Sequence, residues 1–165
     1  MTPTTLLLGL GNTLLTDEAV GPLVVGRMQA ADGNGDVGGD IIRYLDGGTL
    51  SFTLAGPIAD CDRLIVVDAA AMGAPPGTVR VFEGAAMDHQ LRLHAKTVHE
   101  VSLADLFDIA RLTDTLPTHR ALVGIEPQVV DWGNEPSPVV HAAIPSAIAK
   151  VRELLARWNS ETAGP

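Results

Sequence analysis

Three acidic residues and one histidine in this sequence could take part in metal binding or hydrolysis. Glu18, Asp46 and Asp68 each follow or end an apolar run typical of a buried strand, and His99 lies in the first turn of a predicted helix. Open α/β sheets bind ligands outside the carboxyl ends of their strands, where such residues would meet. Two carboxylates and one imidazole suit a borderline divalent ion such as nickel or zinc and leave coordination positions open. Spacing in the sequence does not by itself show that these side chains converge.

Each of these residues also has a structural interpretation. An acidic residue in the first turn of a helix, as Asp17 or Glu18 would be, contributes about 0.3–1 kcal/mol through the helix dipole. A histidine at a helix start, such as His99, is more often structural than catalytic. Asp68 has the stronger functional case, because a carboxylate that ends a buried strand is costly without a cation, hydrogen-bond donors or water.

Alternating strands and helices must position these residues. The apolar runs predict strands at residues 4–10, 40–45, 63–69, 78–82 and 120–125. Helical patterns begin near residues 19–22, 51, 97 and 139, so strands and helices alternate along the chain. This order predicts a three-layer α/β/α sandwich around a central, mostly parallel twisted sheet of about five strands, in a single domain.

Three connecting segments have less regular patterns. The Gly/Asp-rich segment 31–39 predicts an exposed loop, 83–98 a long loop, and 159–165 a disordered tail. Thr97 and Glu100 have the spacing of a capping box, which is what places His99 in a first helical turn.

The glycines after the first strand invite a dinucleotide-binding interpretation. Gly9 and Gly11 match the first two glycines of the G-x-G-x-x-G fingerprint, but Leu14 stands where the third is required. A pyrophosphate also needs uncharged backbone N–H groups at the helix start, where this chain has Asp17 and Glu18. We therefore do not expect a nucleotide cofactor.

Composition excludes several classes of partner. With 20 acidic and 11 basic residues the formal charge is −9, so neutralisation of phosphates cannot drive binding to nucleic acid or to anionic membranes. No apolar run approaches the roughly 18–20 residues that cross a bilayer, and we expect a cytoplasmic protein with the monomer as its default state. The single cysteine, Cys61, cannot form an internal disulfide and is expected to be a buried, inert thiol.

Four segments, GLGNTLLTDEAVG, DGGT, IVVDA and HEVSLADLF, follow one another along the chain. With these motifs the sequence resembles the hydrogenase maturation endopeptidases, which trim the C-terminus of the large subunit of nickel–iron hydrogenases. The resemblance extends over nearly the whole chain. The DGGT turn and the LVGIEP strand support it.

The resemblance implies a metal and a set of site residues. It makes Glu18, Asp68 and His99 the metal-contacting and catalytic triad. It assigns substrate recognition to the DGGT turn, with Asp46, Gly47 and Thr49. The implied metal is nickel already held by cysteines of the hydrogenase large-subunit precursor, so no tightly bound cofactor of the protein's own is expected.

The attacking group and two other functions stay open at this point. The sequence has no Ser-His-Asp spacing, no HExxH motif and no credible cysteine nucleophile, which leaves a water activated by the ion or by a carboxylate. One alternative is a non-catalytic protein that recognises the nickel-loaded precursor without cutting it. The other is a metallohydrolase that acts on small molecules and carries its own metal.

Overall fold

Six strands in the described part of the chain form one sheet. The computed structural model describes residues 2–33, 35–37, 39–93 and 101–164. The strands are β1 (Thr4–Leu10), β2 (Gly35–Val37), β3 (Asp40–Gly48), β4 (Arg63–Ala69), β5 (Val79–Glu83) and β6 (His119–Ile125), in the spatial order β2-β3-β1-β4-β6-β5. The four central strands are parallel, and the edge strands β2 and β5 are antiparallel to their neighbours.

Among the described residues, five helices cover the two faces of this sheet. They are α1 (Val20–Asp32), α2 (Ala55–Ala59), α3 (Ala85–Leu93), α4 (Leu103–Leu112) and α5 (Pro138–Thr162), and short 3-10 turns precede α1 and α2. Helices α1 and α5 pack on one face and α2, α3 and α4 on the other. The predicted three-layer sandwich with a mostly parallel sheet is therefore confirmed. Within the described ranges, no helix has the length and apolar character needed to cross a membrane.

Successive residues of the central strands point to opposite faces and so build two separate apolar cores. Leu7 of β1 and Ile65 of β4 belong to the core beneath α1 and α5. Leu8 and Val66, the next residue of each strand, belong to the core beneath α2, α3 and α4. Burial on both faces explains why these strands are continuously apolar in the sequence.

One predicted loop is partly a helix. Residues 85–93, within the segment predicted as a loop over 83–98, form α3. The buried face of α3 includes Met87 and the polar Gln90, whose amide donates to the Ala71 carbonyl at 3.4 Å. A glutamine on that face interrupts the apolar period, so sequence pattern alone did not reveal the helix.

An ion-pair cluster holds α3 against the sheet. The Asp88 carboxylate accepts two hydrogen bonds from the Arg120 guanidinium, at 2.7 and 2.9 Å, and one from Arg111 at 2.7 Å. Burial by itself would raise the pKa of Asp88, but its bonds and charge attraction to the two arginines lower it. Because Arg120 is in β6 and Arg111 in α4, this contact is made only in the folded chain.

The start of α4 differs from the prediction. Its N-cap is Ser102, whose hydroxyl accepts from the Asp105 amide at 3.1 Å while the Asp105 carboxylate accepts from the Ser102 amide at 2.9 Å. The predicted capping box of Thr97 and Glu100 therefore does not begin this helix. Thr97, Glu100 and His99 lie outside the described residues.

Two other segments are more ordered than the sequence suggests. Residues 35–37, predicted as loop, form β2 and pair with the beginning of β3. Residues 159–162, predicted as the start of a disordered tail, continue α5 to Thr162. Arg63 contacts this extension, because its buried guanidinium donates to Asn159 Oδ1 at 2.7 Å and to the Thr162 hydroxyl.

Arg63 is also the cation of a buried cluster at the amino ends of β1, β3 and β4. Its guanidinium lies 3.4 Å from the carboxylate of Asp40, which is fully buried and also accepts from the Thr5 hydroxyl. Burial raises the pKa of Asp40 even though Thr5 and Arg63 lower it in part. Arg63 thus compensates a carboxylate that has no access to water.

We predict that Arg63→Ala destabilises the protein by about 3–5 kcal/mol, because it leaves the Asp40 carboxylate buried without its cation. Urea unfolding followed by circular dichroism measures the change. Arg43→Ala, at an exposed position of β3, is the matched control and should change the free energy of unfolding by less than about 0.5 kcal/mol. Equal effects of the two variants would contradict this role of Arg63.

Candidate functional site

Glycines place the start of α1 directly on the ends of β1 and β4. A β-carbon on Gly21 would lie 2.4 Å from the Val67 carbonyl oxygen, and one on Gly9 would lie 2.7 Å from the Gly21 carbonyl oxygen. At Gly11, where φ is +144°, a β-carbon would lie 1.7 Å from the Glu18 carbonyl oxygen. Only glycine permits these approaches. The glycines that resemble a nucleotide fingerprint therefore serve helix–strand packing here.

This packing places Glu18 and Asp68 at the same end of the sheet, where β1 and β4 end. Glu18 belongs to the 3-10 turn Thr16–Ala19, which packs against β4. Asp68 is the penultimate residue of β4, the strand paired with β1, and both side chains are half-buried. Both residues therefore lie at the carboxyl ends of central strands, and the convergence of their side chains into one site stays a prediction.

The third predicted ligand, His99, lies outside the described residues. Among the residues that the structure describes, no group of three His, Cys, Asp or Glu side chains could hold a metal ion. The three-residue metal site consequently stays a prediction. The two half-buried carboxylates at this end of the strands are oxygen donors of the type that bind divalent ions.

A polar cleft of about 260 Å³ lies at the carboxyl ends of β1 and β3. It is lined by Gly11, Asn12, Thr13, Asp46, Gly48 and Thr49. Two hydrogen bonds fix the DGGT segment that lines the cleft. Asp46 Oδ1 accepts from the Gly48 amide at 2.9 Å, and the Gly48 carbonyl accepts from the Gly11 amide at 3.0 Å.

The three residues predicted for substrate recognition differ in position. Asp46 and Thr49 are exposed and line the cleft. Gly47 is not among the lining residues; a β-carbon there would lie 2.8 Å from side-chain carbons of Leu8 and Leu10. The structure therefore gives Gly47 a packing role, whereas Asp46 and Thr49 are accessible to a substrate.

Asp17 has a role that the sequence interpretation missed. Its side chain is fully buried, and its carboxylate accepts from the backbone amides of Gln128 and Val129, both at 2.7 Å. It also accepts from Ser137, from the amide at 2.6 Å and from the hydroxyl at 2.9 Å. These four bonds attach the turn that carries Glu18 to the loop after β6. No local pattern could reveal them, since the partners are 111–120 residues apart.

These hydrogen bonds keep Asp17 ionised. Burial by itself would raise the pKa of Asp17, but the bonds from Val129, Ser137 and Gln128 outweigh it and lower the pKa. A carboxylate saturated with donors and closed to water is a poor proton acceptor at neutral pH. Of the acidic pair, Asp17 is the structural residue, and Glu18 is the one that lies half-exposed at the site.

A short backbone ladder reinforces the same attachment. Thr16 donates its amide to the Gly133 carbonyl, and Gly133 donates to the Leu14 carbonyl, each at 2.9 Å. The Thr16 hydroxyl donates to the Val129 carbonyl at 2.7 Å and accepts from the Asp131 amide at 3.1 Å. Turn and loop therefore form one rigid unit beside Glu18.

Glu126 fixes the loop that follows Asp68. The Glu126 carboxylate accepts from the Met72 amide at 2.6 Å, and the Ala70 amide donates to the Ile125 carbonyl at 2.9 Å. Glu126 directly follows β6, which is paired with β4. It is thus a further carboxylate at this edge, held in place by a backbone donor.

The single cysteine does not belong to this site. Cys61 is buried just before β4, at the opposite edge of the sheet, and its thiol donates to the Ile58 carbonyl at 3.2 Å. Burial raises the pKa of the thiol to about 11, so it is protonated at neutral pH. The expectation of a buried, unreactive thiol is confirmed.

Comparison with known proteins places the chain among named proteases. The sequence model of the hydrogenase maturation protease family matches residues 31–154. The hydrogenase 2 maturation protease of Escherichia coli is 33% identical over 147 residues, which cover 88% of this chain and 87% of that protein. The hydrogenase expression/formation protein HoxM of Cupriavidus necator is 30% identical over 161 residues, which cover 92% of this chain and 74% of HoxM.

A solved structure agrees with these sequence matches. The hydrogenase maturating endopeptidase HybD from E. coli superposes with a TM-score of 0.80 at 30% identity. The superposition covers 95% of this chain and 93% of that one.

We predict that Asp17→Asn lowers the free energy of unfolding by about 2–4 kcal/mol at pH 7, because an amide cannot replace a carboxylate among several donors. Since folding lowers the pKa of Asp17, its contribution is complete above the unfolded-state pKa of about 3.9 and is lost as the pH falls through the lower folded-state pKa. The difference between wild type and variant should therefore be constant from pH 7 to about pH 5 and shrink at lower pH.

Urea unfolding at several pH values tests this prediction. Asp60→Asn, at an exposed position beside α2, is the matched control and should have little effect at any pH. A wild-type–variant difference that does not change with pH would contradict an ionised, hydrogen-bonded Asp17.

Proposed function

The chain belongs to the hydrogenase maturation protease family, and from this premise we propose that it removes a short C-terminal peptide from the nickel-loaded large-subunit precursor of a nickel–iron hydrogenase. The observation that carries the proposal is that Glu18 and Asp68 lie at the carboxyl ends of the central strands, where a cleft lined by Asp46 is open. This arrangement offers two carboxylates to a reacting group and a polar cleft to a substrate segment.

Glu18, Asp68 and His99 act together as the metal-contacting triad in this proposal. Nickel arrives as part of the substrate, held by precursor cysteines, and the protease adds oxygen and nitrogen ligands to it. Thiolates are softer ligands and hold such an ion harder than carboxylates do, so the metal stays with the precursor. The protease thereby acts only on a precursor whose metal site is already filled.

The triad carboxylates would also serve the chemical step. A water molecule attacks the scissile carbonyl carbon and gives its proton to Glu18 or Asp68, and the proton then passes to the departing amine. Asp17 takes no part in this step, because its oxygens are occupied by backbone and Ser137 donors. Its role is to hold the turn that presents Glu18.

Substrate recognition is proposed for the cleft. Asp46 and Thr49 are exposed there, and Asn12 and Thr13 add further polar groups from the turn before Glu18. A segment bound in this cleft would contact residues 11–13, which lead into the turn that carries Glu18. The relatives named as proteases favour cleavage of the precursor over recognition without cleavage.

We expect Glu18→Gln, Asp68→Asn and His99→Ala each to reduce processing at least 100-fold while leaving the fold intact. Each change removes a metal-contacting or proton-accepting atom. Glu18→Gln and Asp68→Asn keep the size of the side chain, and His99→Ala reduces it. Mass spectrometry of the precursor C-terminus measures processing, and circular dichroism checks folding. Asp60→Asn serves as the control, and normal processing by all three variants would refute the triad.

Processing should also depend on nickel. Co-expression with candidate large subunits should yield a shortened subunit in nickel-containing medium and the full-length precursor without nickel. The isolated protein should carry little metal, whereas a metallohydrolase with its own metal would contain a stoichiometric amount. Cleavage that is independent of nickel would contradict the role of the ion.

A further inference from the structure

Four large apolar side chains are exposed close to Glu18. Trp132 is 78% exposed, Leu14 57%, Val130 52% and Val129 44%. We call these four residues the apolar patch. Water-exposed apolar side chains gathered at one place on a protein commonly mark an interaction surface.

The apolar patch is built on rigid backbone. Leu14 and Trp132 immediately precede Leu15 and Gly133, which form a parallel β-bridge. The amides of Gln128 and Val129 are held by the Asp17 carboxylate. A surface fixed in this way loses little conformational entropy on binding, which favours affinity.

The apolar patch is continuous with the proposed active site. Leu14 lies next to Thr13, which lines the cleft of Asp46, and four residues before Glu18. One turn, residues 11–18, therefore contributes to the cleft, the apolar patch and the carboxylate site. A polypeptide bound in the cleft and cut beside Glu18 would pass over or near the patch.

The charge around the apolar patch indicates what binds there. No Lys or Arg occurs in the segments that end or follow β1, β3, β4 and β6. These segments are residues 11–18, 46–52, 68–78 and 126–137. Six carboxylates in them are half-exposed or exposed, namely Glu18, Asp46, Asp68, Glu126, Asp131 and Glu135. The described part of this edge is therefore apolar and acidic. It would repel an anionic lipid surface and a second copy of the same edge.

We propose that the apolar patch docks a segment of the large-subunit precursor that presents apolar side chains to Trp132 and Leu14 and Lys or Arg side chains to the surrounding carboxylates. The proposal rests on the proposed function for the identity of the partner. It adds the chemical character of the recognised segment and the surface that recognises it, outside the triad and the cleft.

Steady-state cleavage of the precursor tests this docking. Trp132→Ser and Leu14→Ser should each raise KM about tenfold and leave kcat unchanged, because they remove binding contacts away from the reacting atoms. Leu112→Ser is the matched control, since Leu112 is 89% exposed on α4 and lies outside the patch. An unchanged KM in both patch variants, with wild-type cleavage intact, would overturn the docking surface and leave the proposed function standing.

Charge reversal tests the cationic character of the partner. Glu135→Lys should raise KM about tenfold, and added salt should raise the wild-type KM, because screening weakens attraction between exposed charges. Asp60→Lys introduces the same charge change elsewhere and should have no such effect. A KM that is insensitive to both salt and Glu135→Lys would refute the cationic segment.

A fluorescence measurement tests the apolar patch even if no precursor is cleaved. The chain has two tryptophans, and Trp132 is exposed whereas Trp158 is only 2% exposed, so acrylamide quenching reports mainly on Trp132. A synthetic peptide of alternating Leu and Arg should reduce this quenching, and a matched Leu and Glu peptide should not. Protection by the first peptide alone supports the surface independently of the proposed function; protection by neither or by both overturns it.

Discussion

The buried carboxylate of Asp17 is the interaction on which the site depends. It joins the turn before α1 to the loop after β6, and the β-bridge between Leu15 and Gly133 joins the same two segments. The cost of burying its charge is met by four donors at 2.6–2.9 Å. Through this contact Glu18, the cleft and the apolar patch are held in one arrangement, although they come from opposite ends of the chain.

The acidic pair Asp17–Glu18 combines one buried, hydrogen-bonded carboxylate with one half-exposed carboxylate. In the 3-10 turn Asp17 points into the protein and Glu18 stays half-exposed. Gly11 and Gly21 permit the close approach that places the turn on β1 and β4. In a dinucleotide-binding turn, glycines let a phosphate approach the backbone. In this turn, glycines let two backbone segments of the protein approach each other, and the helix start carries the carboxylate of Glu18.

The buried ion pair and the candidate site lie at opposite ends of the parallel strands. At the amino ends of the strands, Arg63 pairs with buried Asp40 and holds the last turn of α5. At the carboxyl ends, Glu18 and Asp68 stay partly exposed, and the described segments 11–18, 46–52, 68–78 and 126–137 contain no Lys or Arg. In the proposed function, this acidic surface faces a cationic or metal-bearing substrate.

The sequence alone determined the layer architecture, the strand ends that carry Glu18 and Asp68, and the family resemblance, because apolar runs and their punctuation are local signals. The role of His99 was inferred from the family resemblance and stays a prediction. Only the tertiary structure decided that Asp17 is structural, that 85–93 is a helix, that α5 reaches Thr162 and that Trp132 is exposed beside the site. Asp17 and Arg63 form hydrogen bonds with backbone groups and side chains many residues away. Nearly every residue has a backbone amide and a carbonyl, so the sequence does not indicate which of them will be the partner.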